Sequence, residues 1–477
     1  MKVLLINPII RENDVPRNIP HGLAILASIL RNKGHKVRIL DINAHRYSKK
    51  EVSSLLRIID YEIVGIGGLI STYDYVKWLT KIVKNNNPKI PIIIGGSVGF
   101  SIPNIILSST YADIVCNQEG EETFPELLEV VEKGSKRNLN EVQGIWFIDN
   151  GQIIQTPVRQ LISNLDKIPF PAWDLLPMDV YLNNPVVGVG RDIDFISSRG
   201  CPYKCTFCFR AFGNKYRGHS AEYVLEVIKF LKKKYNVDFI SFQDDEFMAK
   251  KERVYEVCEG IRNNNINIKW SCTGRVNIVD KEILNEMKRS GCVSVSYGIE
   301  SGSQKILNSM RKGVTVEQAE KAINLNKEVG LRTPTSFILG MPEETLETAE
   351  ETVNFCLRTN ILLQGLMFAT PYPGTELYRD AKTRNLIPDN EENFISKLGD
   401  AVDFTINLTY NFTDEQLIDL RKYMINKVKE NYIAPSKKEI NDFYKNLYGT
   451  QLWEKYRNSL KDVSFRKHRE LHGFNEL

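Results

Sequence analysis

Short β-branched runs alternate with amphipathic helical runs through the first 140 residues. The strands predicted from these runs are Val3–Ile6, Val37–Leu40, Ile63–Ile66, Ile90–Ile94 and Asp113–Val115. Segments with helical spacing of apolar residues separate them. This alternation is typical of a parallel, doubly wound, Rossmann-like α/β sheet, which binds its ligands at the carboxyl ends of the strands.

The same alternation returns between residues 191 and 384, where strand-like and helical runs repeat six times. The predicted strands are Asp192–Ser198, Asp238–Gln243, Asn267–Cys272, Val293–Tyr297, Thr333–Leu339 and Leu362–Ala369. Six βα units predict a partial (βα)6 barrel of the TIM type. In βα barrels the chemistry gathers where the strands end.

Two further segments complete the predicted organisation. Residues 141–190 start with a β-hairpin, turning at Asn150-Gly151, and continue as a proline-punctuated linker that reaches Pro185. Residues 385–477 form a mainly helical C-terminal region with Thr413 as a predicted N-cap. The four predicted regions are therefore 1–140, 141–190, 191–384 and 385–477.

The composition is that of a globular chain with more than one domain. Of its 477 residues 42% are hydrophobic, and the formal net charge of +4 does not favour nucleic acid as a partner. No apolar run has the length of a membrane span, and the apolar part of the N-terminus is too short for a signal peptide. We therefore expect a cytoplasmic protein whose cysteines stay reduced.

Three of the eight cysteines lie in one loop after the first barrel strand. Cys201, Cys205 and Cys208 have the spacing C-x3-C-x2-C, with which one loop can bind three irons of a cubane cluster and leave the fourth iron open. A structural zinc site would need four ligands. Ordinary core thiols are disfavoured here by the flanking Gly200 and Pro202, whereas the remaining cysteines are predicted to be core residues: Cys116, Cys258, Cys272, Cys292 and Cys356.

Polar and turn residues follow the other barrel strands at their predicted carboxyl ends. Acidic residues before helices and Pro-Gly turns are common for purely structural reasons, so each segment alone is weak. Together they predict one site at this edge, in which Arg275 is suited to grip a carboxylate. The segments are Asp244-Asp-Glu-Phe247, Arg275, Gly298-Ile-Glu-Ser-Gly-Ser303, Gly340-Met-Pro-Glu-Glu-Thr345 and Thr370-Pro-Tyr-Pro-Gly-Thr375.

The cysteine loop, with Phe207 before its last cysteine, resembles the radical S-adenosylmethionine (SAM) superfamily. This resemblance implies a 4Fe-4S cluster on Cys201, Cys205 and Cys208 whose open iron chelates the amino and carboxylate groups of SAM. It places Asp245 and Glu246 near the SAM amino group, Arg275 near its carboxylate and Glu300 near its ribose. The full implied set of SAM contacts is Phe207, Asp245, Glu246, Arg275, Glu300, Ser301, Phe337, Leu339, Gly340 and Pro371.

The first 140 residues resemble the cobalamin-binding domain that precedes many radical SAM enzymes. The matching segments are Pro20-His-Gly-Leu-Ala24, Gly34-His35, Ser71-Thr72, Gly95-Gly-Ser97 and Glu119-Gly-Glu-Glu-Thr-Phe124. The D-x-H-x-x-G motif of other cobalamin proteins is absent, which implies cobalamin without a protein histidine on cobalt; loss of cobalamin binding is the alternative. Implied contacts are His21, Gly22, Leu23, Gly68, Ser71, Thr72, Gly95, Gly96, Ser97, Gly120, Glu121 and Thr123.

Both resemblances together imply a cobalamin-dependent radical SAM methyltransferase that acts on an unactivated centre of a small molecule. A low-potential electron donor such as flavodoxin or ferredoxin would be its partner, and no catalytic residue beyond the cofactors is identified. A cyclase or rearrangement enzyme with the same cofactors stays open. A methylthiotransferase would need a second cysteine triad, whereas the N-terminal region has only Cys116, and a non-enzymatic cobalamin sensor has no use for an open iron.

Overall fold

A computed structural model describes residues 1–12, 14–132, 139–184, 190–363 and 365–456 of the chain. The end of the predicted linker, including Pro185, and residues 457–477 of the predicted C-terminal region lie outside the described residues. The first of two compact units consists of Met1–Tyr181, Tyr372–Gly374 and Ile387–Leu398. The remaining described residues form the second unit.

The first unit is built on a seven-stranded sheet with the order β2-β1-β3-β4-β5-β6-β7. Its first five strands are parallel, which confirms the predicted doubly wound α/β architecture. All five strands predicted for this region are present with small shifts at their ends. The strands are β1 (Lys2–Asn7), β2 (Lys36–Asp41), β3 (Ile63–Ile66), β4 (Ile92–Ile94), β5 (Ile114–Cys116), β6 (Ile145–Asp149) and β7 (Gln152–Gln155).

The predicted hairpin is present, but it is not part of a separate linker. Asn150 and Gly151 adopt φ values of +48° and +78°, as a two-residue hairpin turn requires. Strand β6 pairs antiparallel with β5, so the hairpin extends the sheet of the first unit. Strand pairing of this kind joins distant segments, and a local turn signal does not specify it.

Helices cover the sheet of the first unit because their apolar faces pack against its β-branched strands. The buried cluster includes Leu5, Ile63 and Ile93 of the sheet together with Ala27 and Leu127 of the helices. The helices up to the second unit are α1 (His21–Asn32), α2 (Ile42–His45), α3 (Lys49–Ile58), α4 (Tyr73–Asn86), α5 (Gly96–Ser101), α6 (Pro103–Ser109), α7 (Gly120–Glu132) and α8 (Met178–Leu182).

The second unit contains a parallel six-stranded sheet with the order β15-β14-β13-β12-β11-β8. Neighbouring strands follow one another along the chain, with a helix between each pair, which is the connectivity of the predicted half-barrel. Two short strands, β9 and β10, form an additional antiparallel pair. The strands are β8 (Asp192–Phe195), β9 (Ser198–Arg199), β10 (Arg217–Gly218), β11 (Phe239–Phe242), β12 (Lys269–Gly274), β13 (Cys292–Glu300), β14 (Thr335–Leu339) and β15 (Leu366–Phe368).

The remaining helices include the predicted helical C-terminal region. The hydroxyl of Thr413 accepts a hydrogen bond from the Gln416 N–H, which confirms the predicted N-cap. In the described part of the chain, no helix combines the length and apolarity needed to span a bilayer. The helices are α9 (Ala221–Tyr235), α10 (Lys251–Asn263), α11 (Lys281–Arg289), α12 (Gln304–Ser309), α13 (Val316–Val329), α14 (Leu346–Arg358), α15 (Glu376–Thr383), α16 (Glu391–Ile395), α17 (Asp414–Glu430), α18 (Lys437–Tyr448) and α19 (Thr450–Tyr456).

The aromatic residues of α18 and α19 lie at the strand-start end of the half-barrel. Tyr448 accepts a hydrogen bond from Arg332, which precedes β14, and its ring lies 6.5 Å from that of Phe239 at the start of β11. Tyr444 and Trp453 stack together at 4.8 Å. These rings therefore pack at the end of the strands opposite to the one where barrel chemistry gathers.

Candidate functional site

The cysteine loop of the second unit is closed at its base by the short strands β9 and β10. Arg199 pairs with Arg217 and Ser198 pairs with Gly218, so the chain between them returns on itself. Gly200 opens the loop with φ +82°, and a Cβ at this position would lie 2.3 Å from the carbonyl oxygen of Lys215. Only glycine allows this close approach of the two sides of the loop.

The loop brings its three cysteines close to one another. Cys205 is buried, Cys201 is half-buried and Cys208 is exposed, whereas all five other cysteines are buried, as predicted. Partial burial raises the pKa of the Cys201 thiol, and the nearby charges of Glu246, Cys205 and Asp245 raise it further. Thiols in such surroundings ionise when a cation compensates their charge, as a metal centre does.

Within the described ranges, no three His, Cys, Asp or Glu side chains are grouped around the position of a single metal ion. A cubane cluster does not need such a grouping, since each thiolate binds a different iron. The C-x3-C-x2-C spacing of the loop, with one thiolate for each of three irons, is the feature that fits such a cluster.

Asp244 and Asp245, which follow β11, organise the base of the cysteine loop. Asp244 accepts hydrogen bonds from the Ser197 N–H at 2.6 Å and from the hydroxyls of Ser197 and Ser198 at 2.7 Å. Asp245 accepts the Gly200 N–H at 2.8 Å. One oxygen of Asp245 is therefore already engaged in holding the loop, and its predicted contact with the SAM amino group remains a prediction.

Glu246 is buried next to the cysteine loop. Desolvation raises its pKa to about 7, although the Met248 N–H and the neighbouring cations Arg275 and Lys312 lower it. This carboxyl group has one hydrogen bond, from the Met248 N–H at 3.2 Å. Of the three acidic residues after β11, Glu246 therefore has the most unused capacity to accept a cationic ligand group.

Arg275 follows β12, and its guanidinium lies over the ring of Tyr203, a residue of the cysteine loop, at 3.6 Å from the ring centroid. The Arg275 residue is only 6% exposed, yet its Nε and Nη2 have no hydrogen-bond partner. Buried N–H donors without acceptors destabilise the folded protein, and a ligand that accepts their hydrogen bonds removes this cost. Nε and Nη2 form the edge that binds a carboxylate in bidentate fashion.

Glu300 ends β13 in a strained conformation and forms a buried ion pair. Its φ is +67°, which is rare for a residue other than glycine. Lys312 donates to Glu300 Oε1 at 2.7 Å, and its ammonium lies 5.9 Å from the ring centroid of Phe207. The pair lies against Gly298, because a Cβ on this residue would be 2.2 Å from Oε1 of Glu300. Lys312 was not predicted from the sequence, because no motif connects it with Glu300.

Two of the residues predicted as SAM contacts point away from the open face of β14. The ring of Phe337 is fully buried and packs edge-on against Phe355 of α14, at 6.4 Å. Leu339 shares this face by the two-residue period of a strand, whereas Ser336 and Ile338 face the other side and are half-buried. The side chains of Phe337 and Leu339 therefore face the helices, and their predicted contacts with SAM remain a prediction; the sequence did not indicate which face of β14 the helices cover.

Ser301 and Pro371 are also buried at the strand ends. The Ser301 hydroxyl contacts the Thr352 hydroxyl at 3.1 Å and accepts the Ser303 N–H at 3.0 Å. Its role visible in the structure is to fix the loop to α14. Pro371 is buried after β15, and its predicted contact with SAM remains a prediction.

The loop that begins with Gly340 is held from two sides. Glu344 accepts the Gly340 N–H at 3.2 Å and the Thr348 hydroxyl at 2.6 Å. From the C-terminal region, the Tyr410 N–H donates to the Pro342 carbonyl at 3.0 Å and the side-chain amide of Asn411 donates to the Glu344 carbonyl at 2.9 Å. The contacts of Tyr410 and Asn411 with this loop join segments distant in the chain and were not predicted from the sequence.

We expect Glu344 to make the stability of the protein depend on pH. Burial raises the pKa of Glu344 to about 7 from an ordinary 4.5; the hydroxyl of Thr348 and the N–H groups of Gly340 and Met341 lower it, and Glu343 raises it. A raised carboxyl pKa means that the folded state binds the proton more tightly, so stability falls as pH rises from about 4.5 to 7. As the pH rises from 5 to 8.5, the free energy of unfolding of Glu344→Gln should therefore increase relative to that of the wild type by up to about 3 kcal/mol.

Urea unfolding at the two pH values measures this difference. Glu347→Gln removes an exposed charge from the first turn of α14, which begins two residues after Glu344, and serves as the matched control. If the Glu344→Gln variant and the wild type differed by the same free energy of unfolding at both pH values, Glu344 would not be the responsible group.

In the first unit, glycine-rich turns follow β3 and β4. Gly96 adopts φ +72°, and a Cβ there would lie 2.6 Å from the carbonyl oxygen of Gly68, so the two turns meet backbone to backbone. In contrast, a Cβ on Gly22 or Gly95 would have no protein atom within 4 Å. Gly22 and Gly95 therefore border open space at the carboxyl edge, where a large ligand can approach the backbone.

The other residues predicted at this edge have different surroundings. His21 and Leu23 are buried in the first turn of α1, and Thr72 is buried, whereas Ser71 and Ser97 are half-buried. Gly120 and Glu121, at the start of α7, are half-buried as well. The Thr123 hydroxyl accepts a hydrogen bond from Arg159 at 3.0 Å and is fully buried, which counts against direct contact with a ligand.

Two family models match the chain. Residues 195–356 match the radical SAM superfamily, and residues 11–128 match the B12-binding domain. The first match contains the cysteine loop, Glu246, Arg275, Glu300 and Gly340. The second contains the glycine-rich edge of the first unit.

Relatives and a solved structure agree with this domain pair. An uncharacterized methyltransferase of Pyrococcus horikoshii is 37% identical over 81% of this chain and 84% of its own length. The anaerobic magnesium-protoporphyrin IX monomethyl ester cyclase of Rubrivivax gelatinosus is 28% identical over 92% of this chain and 80% of its own. The methyltransferase TsrM of Kitasatospora setae, solved with cobalamin and a [4Fe-4S] cluster, is 18% identical and shares the fold with a TM-score of 0.67 over 80% of this chain and 75% of its own.

Proposed function

We propose that this chain, which belongs to the family of cobalamin-dependent radical SAM enzymes, transfers a methyl group to an unactivated carbon or phosphorus centre of a small molecule. The observation that carries the proposal is the 37% identity to a protein named a methyltransferase, over most of both chains. When bound, the cofactors of the family supply the radical and methyl-transfer chemistry, and the protein supplies their binding and orientation.

In this proposal the cysteine loop binds the cluster through Cys201, Cys205 and Cys208. The base of the loop is fixed before any cofactor binds, because Asp244 and Asp245 hold Ser197, Ser198 and Gly200. A preformed loop lowers the cost of ordering the ligands when the cluster is assembled.

The SAM molecule would be held by groups that the fold leaves unsatisfied or partly satisfied. The free edge of Arg275 would bind its carboxylate, and the Glu246 carboxyl would accept its amino group. Glu300, oriented by Lys312, would accept its ribose hydroxyls through its second oxygen. The clamped Gly340 loop and Ile338 would contact its adenine.

The cobalamin would lie against the glycine-rich edge of the first unit. Gly22 and Gly95 leave room there for a large, flat cofactor, and Ser71 and Ser97 stand half-exposed beside them. This arrangement uses no histidine ligand from the motif that other cobalamin proteins carry.

An external low-potential donor such as a flavodoxin or ferredoxin would deliver the electron. Exposed basic residues of the cysteine loop, namely Lys204, Arg210 and Lys215, support this part of the proposal. The sequence from Phe195 to Ala221 contains no acidic residue, and acidic partners dock on such surfaces.

A cyclase is the second candidate function. Its support is the identity of 28% to the cyclase of Rubrivivax gelatinosus over a larger share of this chain. Both candidates use the same cofactors, so the residues assigned above do not separate them.

Product analysis separates methyl transfer from cyclisation. Anaerobic protein loaded with iron, sulfide and hydroxocobalamin, then reduced in the presence of SAM, should release S-adenosylhomocysteine together with 5′-deoxyadenosine, because methyl transfer from SAM leaves S-adenosylhomocysteine. Chromatography coupled to mass spectrometry measures both.

Two controls accompany this assay. The Cys201→Ala variant should lose 5′-deoxyadenosine, and protein without cobalamin should lose S-adenosylhomocysteine. Formation of 5′-deoxyadenosine alone by cobalamin-loaded protein would contradict methyl transfer and favour the cyclase.

A further inference from the structure

Tyr203 lies between the first two cysteines of the loop and has the closest cation–π contact among the described residues. The centre of the Arg275 guanidinium is 3.6 Å from its ring centroid, and the next closest pair, Arg384 with Tyr410, is at 4.2 Å. Both partners are shielded, since Arg275 is buried and Tyr203 is half-buried. A cation–π contact is strongest when it is desolvated.

The stacking arrangement determines how the guanidinium can be used. The ring of Tyr203 covers one face of the planar group, and the unpartnered Nε and Nη2 lie along one edge of that plane. No carboxylate of the described chain pairs with Arg275, and a Cβ on Gly313 would lie 3.5 Å from Nη2. Two parallel donors on one edge match the geometry of a carboxylate.

We propose that Tyr203 is a positioning residue that orients Arg275 for the carboxylate of SAM. The inference rests on the function proposed above. It places the residue that orients Arg275 on the same loop that carries the cluster cysteines. This role requires an aromatic ring at position 203 but not the hydroxyl of the tyrosine.

The test is the affinity of iron-loaded, unreduced protein for SAM, measured by equilibrium binding. Loss of a desolvated cation–π contact predicts that Tyr203→Leu weakens SAM binding by about thirtyfold, whereas Tyr203→Phe stays within about threefold of the wild type. Tyr235→Leu removes the ring of another cation–π pair, with Lys234 at 5.3 Å at the end of α9, and should leave SAM affinity unchanged. Iron content is measured on every preparation.

Two comparisons distinguish positioning from a general effect on the loop. Decarboxylated SAM lacks the group that Arg275 would bind, so Tyr203→Leu and the wild type should bind it equally well. In a double-mutant cycle, Tyr203→Leu should add no further loss of SAM affinity in an Arg275→Ala background.

Each other outcome is decisive. Unchanged SAM affinity in Tyr203→Leu, with Arg275→Ala still impaired, would overturn the inference and leave the proposed function intact. If both variants bound SAM normally, the assignment of the carboxylate site would fail as well. If Tyr203→Leu and Tyr203→Met both lost iron, the ring would be holding the loop itself, and its proposed role toward Arg275 would be overturned.

Discussion

Replacing Cys201, Cys205 and Cys208 together by alanine should give a folded protein without iron and without SAM cleavage. The wild type, reconstituted anaerobically, should hold about four irons and four sulfides per chain, as a 4Fe-4S cluster requires. The fold should survive, because the three thiols lie in a loop outside the six parallel strands and the base of that loop is held by Asp244 and Asp245. Iron and sulfide analysis and the release of 5′-deoxyadenosine measure the effect.

Cys258→Ala is the matched control for the triple variant. Cys258 is buried in α10, and burial raises the pKa of its thiol to about 12. Its replacement should cost about 1 kcal/mol of stability and leave the iron content unchanged. Iron retained by the triple variant, or iron lost from a folded Cys258→Ala protein, would contradict the assignment of the cluster to the loop.

Arg275→Ala should weaken SAM binding by roughly ten- to a hundredfold while leaving thermal stability largely unchanged. A charge-assisted hydrogen bond contributes about 1.5–3 kcal/mol, and the Nε and Nη2 of Arg275 donate to no protein acceptor that the substitution would leave unpaired. Pairing with Asp244 or Asp245, which would have given Arg275 a purely structural role, is not observed: both carboxylates are occupied at the base of the loop. Arg275→Lys should recover only part of the affinity, since an ammonium lacks the planar fork.

Arg253→Ala provides the opposite control. Arg253 is as buried as Arg275, but it donates to the His219 carbonyl at 2.6 Å and to the Ser197 hydroxyl at 2.8 Å. Its removal leaves buried acceptors unpaired and should cost a few kcal/mol of stability. Equilibrium SAM binding and thermal unfolding on the same preparations measure both effects. SAM affinity equal to that of the wild type in Arg275→Ala would remove this residue from the site.

The order of elements could be predicted because their signals are local. The strand Ile63–Ile66 was predicted with its observed bounds and its neighbours with small shifts, and the N-cap at Thr413 and the turn at Asn150-Gly151 each depend on residues a few positions apart. The partner of the hairpin was not predictable, because pairing of β6 with β5 joins segments about thirty residues apart.

The site could be predicted only in part, for the same reason. The order of βα units predicted that one edge of the sheet carries Glu246, Arg275, Glu300 and Gly340. The order of βα units did not show which atoms of these residues are available to a ligand. Lys312 donates to one oxygen of Glu300. The Ser301 hydroxyl contacts Thr352, and the Phe337 ring packs against α14. Each of these contacts is set by side chains from other elements of the half-barrel.

The sequence by itself determined the chemistry, namely three thiols at cluster spacing beside a strand and the two domain types of a cobalamin-dependent radical SAM enzyme. Spacing within one loop is a covalent property, so it survives without knowledge of the fold. Only the tertiary structure decided that Arg275 is buried over Tyr203 with its Nε and Nη2 lacking hydrogen-bond partners, and that Asp244 and Asp245 hold the loop. Burial and hydrogen bonding depend on residues that are distant in the chain, and these determine which side chains remain available for a ligand.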